Sequence, residues 1–301
     1  KFDWKKTLPG NTFRTLTDDY HKFEDLPQLT NPSSGYLFNT NNSAYSASAS
    51  YDNLSFDDFD STMGYQLHEN NRSIRFMQLM EEYDTITWEN FLSIKYDATL
   101  PDSLYYNINV NAVFRMDPSL AGKAAPTVRI LQKWNRRGEL NEIGAAHFNE
   151  FYFHLMSKKK WIDVDEVKAV QMIESLHYAH EKLLNNFGKI EVTLGEYQFL
   201  FRGDKTLPIR GLGDVLAAMY SRPYKEGKVK GVAGDSYIML VRYPIKGLPI
   251  IETVNSYGAS NRPESPHYAD QMDMFVNQER KQMTLDIDLV RNQAERIYHP
   301  K

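Results

Sequence analysis

The sequence predicts an α+β fold, and three observations support this. Between about residues 70 and 188, apolar side chains recur at helical spacing, which is typical of amphipathic helices. After Gly188 the period changes to the alternation of apolar and polar residues that is typical of strands. Helices and strands therefore occupy successive parts of the chain, an order that favours an α+β arrangement over regular βαβ alternation.

Length, charge and composition exclude several classes of protein. The chain has 301 residues, enough for one large domain or two ordinary ones. Its 35 basic and 39 acidic residues are mixed along the sequence, and the net charge of -4 argues against a nucleic-acid partner or an anionic membrane. No apolar run approaches the roughly 20 residues that a membrane-spanning helix needs. The lack of cysteine excludes disulfides, thiolate metal sites and a cysteine nucleophile in this chain.

The composition of residues 1–70 predicts a loop-rich segment. Prolines and glycines punctuate the first forty positions, and residues 39–60 are crowded with Asn, Ser, Asp and Tyr without a helical or strand period. The opening letters KFDWKK resemble neither a methionine start nor a signal peptide. We therefore expect the chain to begin within a longer protein.

Residues 71–187 predict a helical region. Asn70 or Asn71 caps a first helix, and a second begins at Thr87. A third helix stops at Gly138, and the longest spans residues 165–187 and ends at Gly188. The positions predicted to face inward on these four helices are Ile74, Met77, Met80, Trp88, Phe91, Leu92, Tyr96, Val128, Leu131, Trp134, Val167, Val170, Ile173, Leu176, Leu183 and Leu184.

Residues 188–301 predict the core strands and a C-terminal helix. The segments with an extended or alternating pattern are residues 190–194, 197–201, 236–243 and 250–255. The last two are separated by a short segment with a proline at each end, so they predict a hairpin. Residues 286–298 return to helical spacing.

Motifs that would form a complete active site within this chain are missing. The letters SYGAS at residues 256–260 have the wrong order for a nucleophile elbow, and GLG at residues 211–213 lacks the lysine and serine of a phosphate loop. His177 and His180 are three residues apart and could share a metal. No acidic third ligand stands at metalloprotease spacing, so a solvated helix face is the favoured interpretation.

The segment NPSSGYLFNTNNS at residues 31–43 is more informative. It combines a turn, a short apolar stretch and three closely spaced carboxamides, those of Asn39, Asn41 and Asn42. A buried asparagine needs partners for two donors and an acceptor, so such a cluster is either a hydrogen-bonded turn or a polar site. The residues alone leave both interpretations open, with an Asx-rich turn as the simpler one.

The same letters resemble a segment of the penicillin acylase family, whose members are N-terminal-nucleophile amidohydrolases. In that family Asn-Pro-x-x-Gly-Tyr followed by Asn-x-Asn-Asn-Ser supplies the side-chain donor of the oxyanion hole, and the matching position is Asn41. A fixed amide N–H aimed at a developing oxyanion lowers the barrier by about 3 kcal/mol. The branch with the most similar details, in SYG at residues 256–258 and NRP at residues 261–263, cleaves long-chain acyl amides, including acyl-homoserine lactones.

Further segments carry the resemblance from about residue 26 to residue 300. They are LPQLTNP at residues 26–32, RGDKTLP at residues 202–208, GDVL at residues 213–216, YGAS at residues 257–260 and SPHYADQ at residues 265–271. In this family the general base is the α-amine of the nucleophile itself. We therefore expect His267 to stabilise the C-terminal turn rather than to act as a base.

The pair Asn71-Arg72 resembles the family segment whose arginine stands near the substrate and supports the oxyanion-hole asparagine. Arg72 is therefore the second candidate site residue. The alternative is a surface arginine on the polar side of an amphipathic helix, which a position in the first turn would also suit.

The resemblance implies a four-layer αββα core, to which this chain contributes the later strands and a helical insertion between Arg72 and Phe187. It also implies a nucleophilic serine created by autoproteolysis at the start of the large subunit. Lys1 is not that residue, so residues 1–301 are expected to be the C-terminal portion of the β subunit. The expected partners are the α subunit, the N-terminal part of the β subunit and a small acyl-amide substrate, and the expected location is the periplasm or the exterior of the cell.

No cofactor is needed for the implied chemistry, although calcium is a possible addition. Asp52 stands where some family members place a calcium-ligating aspartate, and its alternative role is that of a loop cap. For the chain as a whole, the alternative to an acylase is a non-catalytic structural or binding fragment, in which Asn41 only organises a turn.

Overall fold

The computed structural model describes residues 2–3, 6–16, 20–163 and 165–299, and Lys1 and Pro300 lie outside these described residues. The chain divides into two compact units, Lys1–Glu69 and Asn70–Lys301. The described part of the first unit contains four short 3-10 helices in otherwise irregular chain, in agreement with the loop-rich prediction. Every α-helix and strand that the structure describes belongs to the second unit.

Aromatic packing holds the first unit together where regular secondary structure does not. Tyr45 is buried, and its ring lies 5.5 Å from those of Phe56 and Phe59 and 5.9 Å from that of Tyr65, measured between centroids. The contacts with Phe56 and Tyr65 are edge-to-face, the arrangement that aromatic quadrupoles favour. These rings give the segment a small core of its own.

Helices occupy the first part of the second unit, as predicted. Those before the first strand are α1 Asn71–Glu81, α2 Trp88–Lys95, α3 Ala125–Lys133, α4 Gly144–Ser157, α5 Ala169–Phe187 and α6 Leu194–Tyr197. The predicted caps of the first two are confirmed, because the side chains of Asn70 and Thr87 accept hydrogen bonds from the N–H groups of Ser73 and Asn90.

Helix α3 ends at Lys133, five residues before the glycine that was predicted to stop it. Arg136 adopts a left-handed conformation with φ +64°, and its carbonyl accepts a hydrogen bond from Leu100 N–H. The N–H of Gly138 then donates to the carbonyl of Ala98. Hydrogen bonds with residues 98–100 therefore fix the backbone of residues 136–138 in a non-helical conformation. A local sequence signal cannot reveal such a distant partner.

Helix α4 is absent from the sequence prediction, because it lacks the amphipathic period on which that prediction depended. All of residues 144–151 are buried, and a helix that is covered on every side shows no polar face. Gly144 permits the close approach of Trp134, since a Cβ atom at that position would lie 2.2 Å from the indole Cγ. The small residue is therefore a packing requirement.

Helix α5 ends as predicted but begins later. Gly188 has φ +66° and donates its N–H to Leu184, while the first helical residue is Ala169 rather than residue 165. Leu176 and Leu183 are buried, whereas Val170 and Leu184, which were predicted to face inward, are 68% and 42% exposed. Val170 lies about 120° round the helix from Leu176, so only part of the apolar stripe is covered.

The strands form two sheets in the second unit. Strands β1 Gln198–Arg202, β2 Lys205–Pro208, β3 Met219–Pro223 and β4 Val229–Gly234 pair in the order β2-β1-β4-β3, with β1 and β4 parallel. Strands β5 Tyr237–Arg242, β6 Ile250–Asn255 and β7 Lys281–Met283 form an antiparallel sheet in the order β5-β6-β7. The predicted hairpin is confirmed as β5 and β6.

Residues 190–194 do not form the strand that their alternation predicted. Thr193 instead caps helix α6 and exchanges hydrogen bonds with Glu196, which closes a capping box. Two short helices complete the unit, α7 Met272–Val276 and α8 Ile287–Gln293, the latter capped by the Asp286 side chain. The helical prediction for the C-terminal tail is thus confirmed over its first half.

Two hydrophobic clusters form the core of the second unit. One lies among helices α3, α4 and α5 and includes Phe151, Leu176 and Tyr197. The other lies between strands and helix α7 and includes Leu240 and Met272. Helical and sheet regions therefore each have their own core, and the α+β class predicted from the sequence is confirmed.

His147 of α4 makes stability depend on pH. The side chain is fully buried, its Nε2 lies 2.7 Å from the Ile190 carbonyl, and its Nδ1 has no hydrogen-bond partner among the described residues. Burial lowers the pKa of His147 to about 4, and the nearby His180 acts in the same direction. The unfolded chain, with an ordinary histidine pKa of about 6.5, therefore binds more protons below that pH.

We expect the free energy of unfolding to fall as the pH drops from about 6.5 to about 4, with His147 accounting for about 3 kcal/mol. The variant His147→Gln tests this, because its amide can still donate to the Ile190 carbonyl but cannot titrate. Denaturant unfolding of both proteins across this range should show the smaller loss for the variant. Equal losses would show that His147 does not contribute to the acid sensitivity.

Candidate functional site

Asn41 lies in a turn that its two neighbouring asparagines build. The side-chain carbonyl of Asn39 accepts a hydrogen bond from the Asn41 N–H at 2.7 Å. The side-chain carbonyl of Asn42 accepts from both the N–H and the hydroxyl of Thr40 at 2.9 Å, and its amide donates to the Ser46 carbonyl at 2.5 Å. Asn39 and Asn42 thus stabilise the backbone on either side of Asn41.

Asn41 itself is exposed and adopts the left-handed conformation, with φ +65°. Asparagine tolerates this region better than most residues, so the position suits the residue type as well as the turn. The two interpretations of the segment are therefore compatible, because an Asx-rich turn presents one of its carboxamides at the surface. The role of Asn41 as an oxyanion donor stays a prediction.

The chain around the asparagine turn is anchored by side-chain and backbone hydrogen bonds. Phe38 N–H donates to the Ala47 carbonyl, and the Ser48 hydroxyl donates to the carbonyl of Tyr36. The side-chain carbonyl of Asn53 accepts from the N–H groups of Ala47 and Ser48 at 3.0 and 2.9 Å. The turn therefore rests on a hydrogen-bonded loop, which limits the freedom of the backbone that carries Asn41.

Asp52 caps the same loop. One of its carboxylate oxygens accepts from the Ser33 hydroxyl and the other from the Ser34 N–H, both at 2.7 Å. Partial desolvation acts to raise the pKa of Asp52, but the hydrogen bonds from the two serines outweigh it and lower the pKa to about 2. Both oxygens serve the loop, and no cluster of three His, Cys, Asp or Glu side chains occurs within the described ranges. A role of Asp52 as a calcium ligand stays a prediction.

Arg72 lies in the first turn of helix α1 and pairs with a buried carboxylate. Its Nε donates to Asp214 Oδ1 at 2.9 Å, and the two side chains are 21% and 11% exposed. Asn71, its neighbour, donates both its backbone N–H and its side-chain amide to Asp214 Oδ2, at 2.9 and 2.8 Å. Arg72 is therefore not the solvated surface arginine of the alternative interpretation.

Asp214, the partner of Arg72, is a residue that the sequence does not predict. The letters GD at residues 213–214 belong to a family pattern, and 142 positions separate the two side chains. Asp214 has φ +67°, a conformation that aspartate accepts more readily than most residues. A polar residue directly after a glycine is a signal for such a turn, but it does not reveal what the carboxylate binds.

Tyrosines surround the Arg72–Asp214 pair. Burial raises the pKa of Tyr106 and brings that of Tyr152 to about 12, and the Asp214 charge adds to both shifts. The pKa of the more exposed Tyr220 is also raised, first by desolvation and then by Asp214, while Arg72 opposes the change. These phenols stay neutral at physiological pH, so Arg72 and Asp214 are the charged groups of this cluster.

The segment SPHYADQ at residues 265–271 makes contacts that stabilise the fold. The imidazole of His267 pairs with Asp270 at 2.8 Å and with Glu295 at 3.1 Å, and these hydrogen bonds raise its pKa. The guanidinium of Arg202 lies 4.1 Å from the centroid of the Tyr268 ring and donates to the Ser260 carbonyl. The arrangement agrees with the structural role expected for His267.

His180, the second of the two histidines on helix α5, has a polar partner within the protein. His180 Nδ1 lies 3.1 Å from the Thr127 hydroxyl, and burial lowers its pKa. His177 and His180 are not accompanied by a third metal-ligating side chain among the residues that the structure describes. The contacts favour a structural role for His180.

Asn41 and Arg72, the two predicted site residues, belong to different units, the first in Lys1–Glu69 and the second in Asn70–Lys301. Each has a well-defined environment within its own unit. The structure brings Arg72 together with Asp214 and Asn71, and it brings Asp52 together with Ser33 and Ser34.

The chain belongs to the penicillin amidase family, because a model of that family matches residues 2–292. Members of the family are acylase hydrolases that are processed from a precursor into several segments, and they are periplasmic or secreted. Helices long and apolar enough to cross a membrane were not found in the described part of the chain.

Two relatives illustrate the similarity. The chain is 24% identical over 166 residues to the acyl-homoserine lactone acylase PvdQ of Pseudomonas fluorescens (strain Pf0-1), an alignment that covers 48% of this chain and 21% of the relative. A thermostable penicillin G acylase from Alcaligenes faecalis, solved in an orthorhombic form, is 14% identical with a TM-score of 0.45, over 90% of this chain and 58% of that one. The chain thus spans less than two thirds of either relative.

Proposed function

We propose that this chain is part of an amidohydrolase that cleaves the bond between an acyl group and an amine-bearing partner. The observation that carries the proposal is the family match over residues 2–292. The turn at Asn41 supports it, because the flanking asparagines hold a neutral amide donor at the surface. The nucleophile of the assembled enzyme is an N-terminal serine that lies outside this chain.

The reaction proceeds in two steps. The serine hydroxyl adds to the amide carbonyl while the serine α-amine takes its proton, and the tetrahedral intermediate carries the charge on oxygen. That oxyanion accepts a hydrogen bond from the Asn41 side-chain amide. Collapse of the intermediate breaks the C–N bond, the departing amine takes the proton back, and an ester remains on the serine. Water then attacks the ester while the α-amine takes its proton, and collapse of the second intermediate returns that proton to the serine oxygen and releases the acid.

Arg72 contributes a positive charge that favours the anionic transition state in this proposal. A guanidinium stays protonated throughout the reaction, so it adds electrostatic stabilisation without taking part in proton transfer. Its ion pair with the buried Asp214 supports the assignment, because a fixed charge stabilises a transition state better than one that must reorganise.

The substrate class that we favour is a long-chain acyl amide, including acyl-homoserine lactones. The letters at residues 256–258 and 261–263 support this branch of the family, and so does the similarity to an acyl-homoserine lactone acylase. The proposed partners are the α subunit and the N-terminal part of the β subunit. The assembled enzyme is proposed to work in the periplasm or outside the cell and to need no cofactor for its chemistry.

Covalent labelling of the natively purified protein tests the proposal. Phenylmethylsulfonyl fluoride reacts with activated serines, so peptide mass spectrometry should find the adduct on an N-terminal serine of the assembled enzyme. Peptides from residues 1–301 should stay unlabelled while acylase activity is lost. An unlabelled protein without acylase activity would instead support the non-catalytic alternative.

Comparison of acyl chain lengths tests the substrate class. The ratio kcat/KM for acyl-homoserine lactones should increase with the length of the acyl chain and exceed that for phenylacetyl amides. A preference for the phenylacetyl group would contradict the proposed branch but leave the acylase function intact.

A further inference from the structure

Asp214 connects the start of helix α1 to the turn between strands β2 and β3. Its Oδ1 accepts one hydrogen bond, from Arg72 Nε, and its Oδ2 accepts two, from the backbone and the side chain of Asn71. The residue is 8% exposed, so these bonds are shielded from competing water. Both oxygens of the carboxylate are thus bonded to two consecutive residues of the helix.

Asn71 extends this connection to a third segment. It is fully buried, its side-chain carbonyl accepts from Tyr105 N–H at 2.7 Å, and its amide donates to the Tyr105 carbonyl at 2.9 Å. The hydroxyl of Tyr106 donates to the carbonyl of Gly213, directly before Asp214. The first turn of α1, the segment at Tyr105 and the turn at Asp214 therefore hold one another in place.

We propose that Asp214 is a positioning residue that fixes Arg72 for catalysis, an inference that rests on the function proposed above. An unpaired arginine side chain samples many rotamers, and ordering it costs conformational entropy. The bond to Nε removes much of that freedom before substrate binds. Misplacement of a charged group by about 1 Å reduces the rate of an enzyme by up to about 100-fold, so the fixed orientation has a measurable consequence.

The same contacts also stabilise the helix, and the test must separate the two effects. Asp214 accepts a hydrogen bond from the backbone N–H of Asn71, which has no carbonyl partner within the helix. Its negative charge also lies at the N-terminus of the helix, where it interacts favourably with the helix dipole. If the role of Asp214 is purely structural, its substitution will lower the melting temperature and leave kcat of the folded enzyme unchanged.

The experiment uses the assembled enzyme with Asp214→Asn, Arg72→Ala and the double variant. Asparagine tolerates the φ of +67° at this position, so the backbone is preserved while the charge is removed. We expect Asp214→Asn to lower kcat by about 10-fold to 100-fold with little change in KM. In the Arg72→Ala background the same substitution should cause no further loss of kcat, although it should still lower the melting temperature.

Helix α1 also provides a matched control. Arg75, three residues further along, forms an ion pair with Asp97 at 3.1 Å, and these side chains are 21% and 13% exposed. The variant Asp97→Asn should therefore affect stability about as much as Asp214→Asn but leave kcat unchanged. A loss of kcat in both variants would point to general loosening of the helix and overturn the inference.

Two further outcomes distinguish this inference from the proposed function. If Arg72→Ala lowers kcat and Asp214→Asn lowers it by the same factor in either background, Asp214 does not act through Arg72 and the inference alone is overturned. If Arg72→Ala leaves kcat unchanged, the role of Arg72 in the proposed function fails, and the inference fails with it. If the Asp214→Asn variant fails to assemble, Arg72→Lys tests the same link, because lysine keeps the charge but not the planar guanidinium. Wild-type kcat in Arg72→Lys would overturn the inference.

Discussion

Replacement of Asn41 by glycine is expected to lower kcat for an acyl amide by about 10²–10³-fold in the assembled enzyme. The substitution removes the amide donor to the oxyanion, while glycine accommodates the φ of +65° without strain. Alanine would be a less clean choice, because a Cβ atom in the left-handed region costs roughly 1–2 kcal/mol. Steady-state kinetics, together with thermal unfolding of the same preparation, provide the measurement.

The neighbouring Asn39 offers the control for this experiment. Its side-chain carbonyl accepts the Asn41 N–H, a function that a serine hydroxyl also performs in such turns. We therefore expect Asn39→Ser to keep most of the activity. Wild-type turnover in Asn41→Gly would remove Asn41 from the oxyanion hole, and equal losses in both variants would indicate that only the turn matters.

The second large effect is expected at a buried ion pair in the helical region. Glu150 of α4 is fully buried and accepts hydrogen bonds from Lys182 Nζ and the Tyr197 hydroxyl, both at 2.7 Å. The variant Lys182→Met leaves the carboxylate without its cation in a low-dielectric environment. We expect it to lower the free energy of unfolding by about 3–5 kcal/mol, measured by denaturant titration.

A compensating substitution tests the cause of this loss. In the Lys182→Met background, Glu150→Gln should restore much of the stability, because the neutral amide still accepts from the Tyr197 hydroxyl and leaves no charge buried. The exposed pair Lys189–Glu196 has the same 2.7 Å separation, and Lys189→Met should cost less than about 1 kcal/mol. If Lys182→Met lowers the free energy of unfolding by no more than Lys189→Met, burial does not increase the contribution of the Glu150–Lys182 pair to stability.

Local signals account for the parts of the fold that the sequence predicted correctly. The caps at Asn70 and Thr87 act on N–H groups three residues away, and the glycine at position 188 ends α5 through its own backbone conformation. The β5–β6 hairpin has a short connection, so its strands are neighbours in sequence as well as in space. In each case the determining contacts lie within a short stretch of sequence.

Elements that depend on distant neighbours were predicted less well. Helix α4 was missed because other parts of the unit cover all its sides, so it carries no polar stripe. Helix α3 ends early because Leu100 binds the carbonyl of Arg136. Residues 190–194 alternate like a strand, but the N–H groups of Leu194 and Gly195 donate to the carbonyls of Glu142 and Leu140, where a short helix begins instead. Contacts of this kind override local preference.

The sequence by itself determined the α+β class, the family and Asn41 as a candidate donor, since a motif within thirteen residues carries that candidate. Only the tertiary structure decided that Arg72 pairs with Asp214. The reason is physical: capping and turn formation depend on nearby residues. An ion pair between residues 142 positions apart depends instead on how the whole unit folds, so the fold of the unit determines the environment of Arg72.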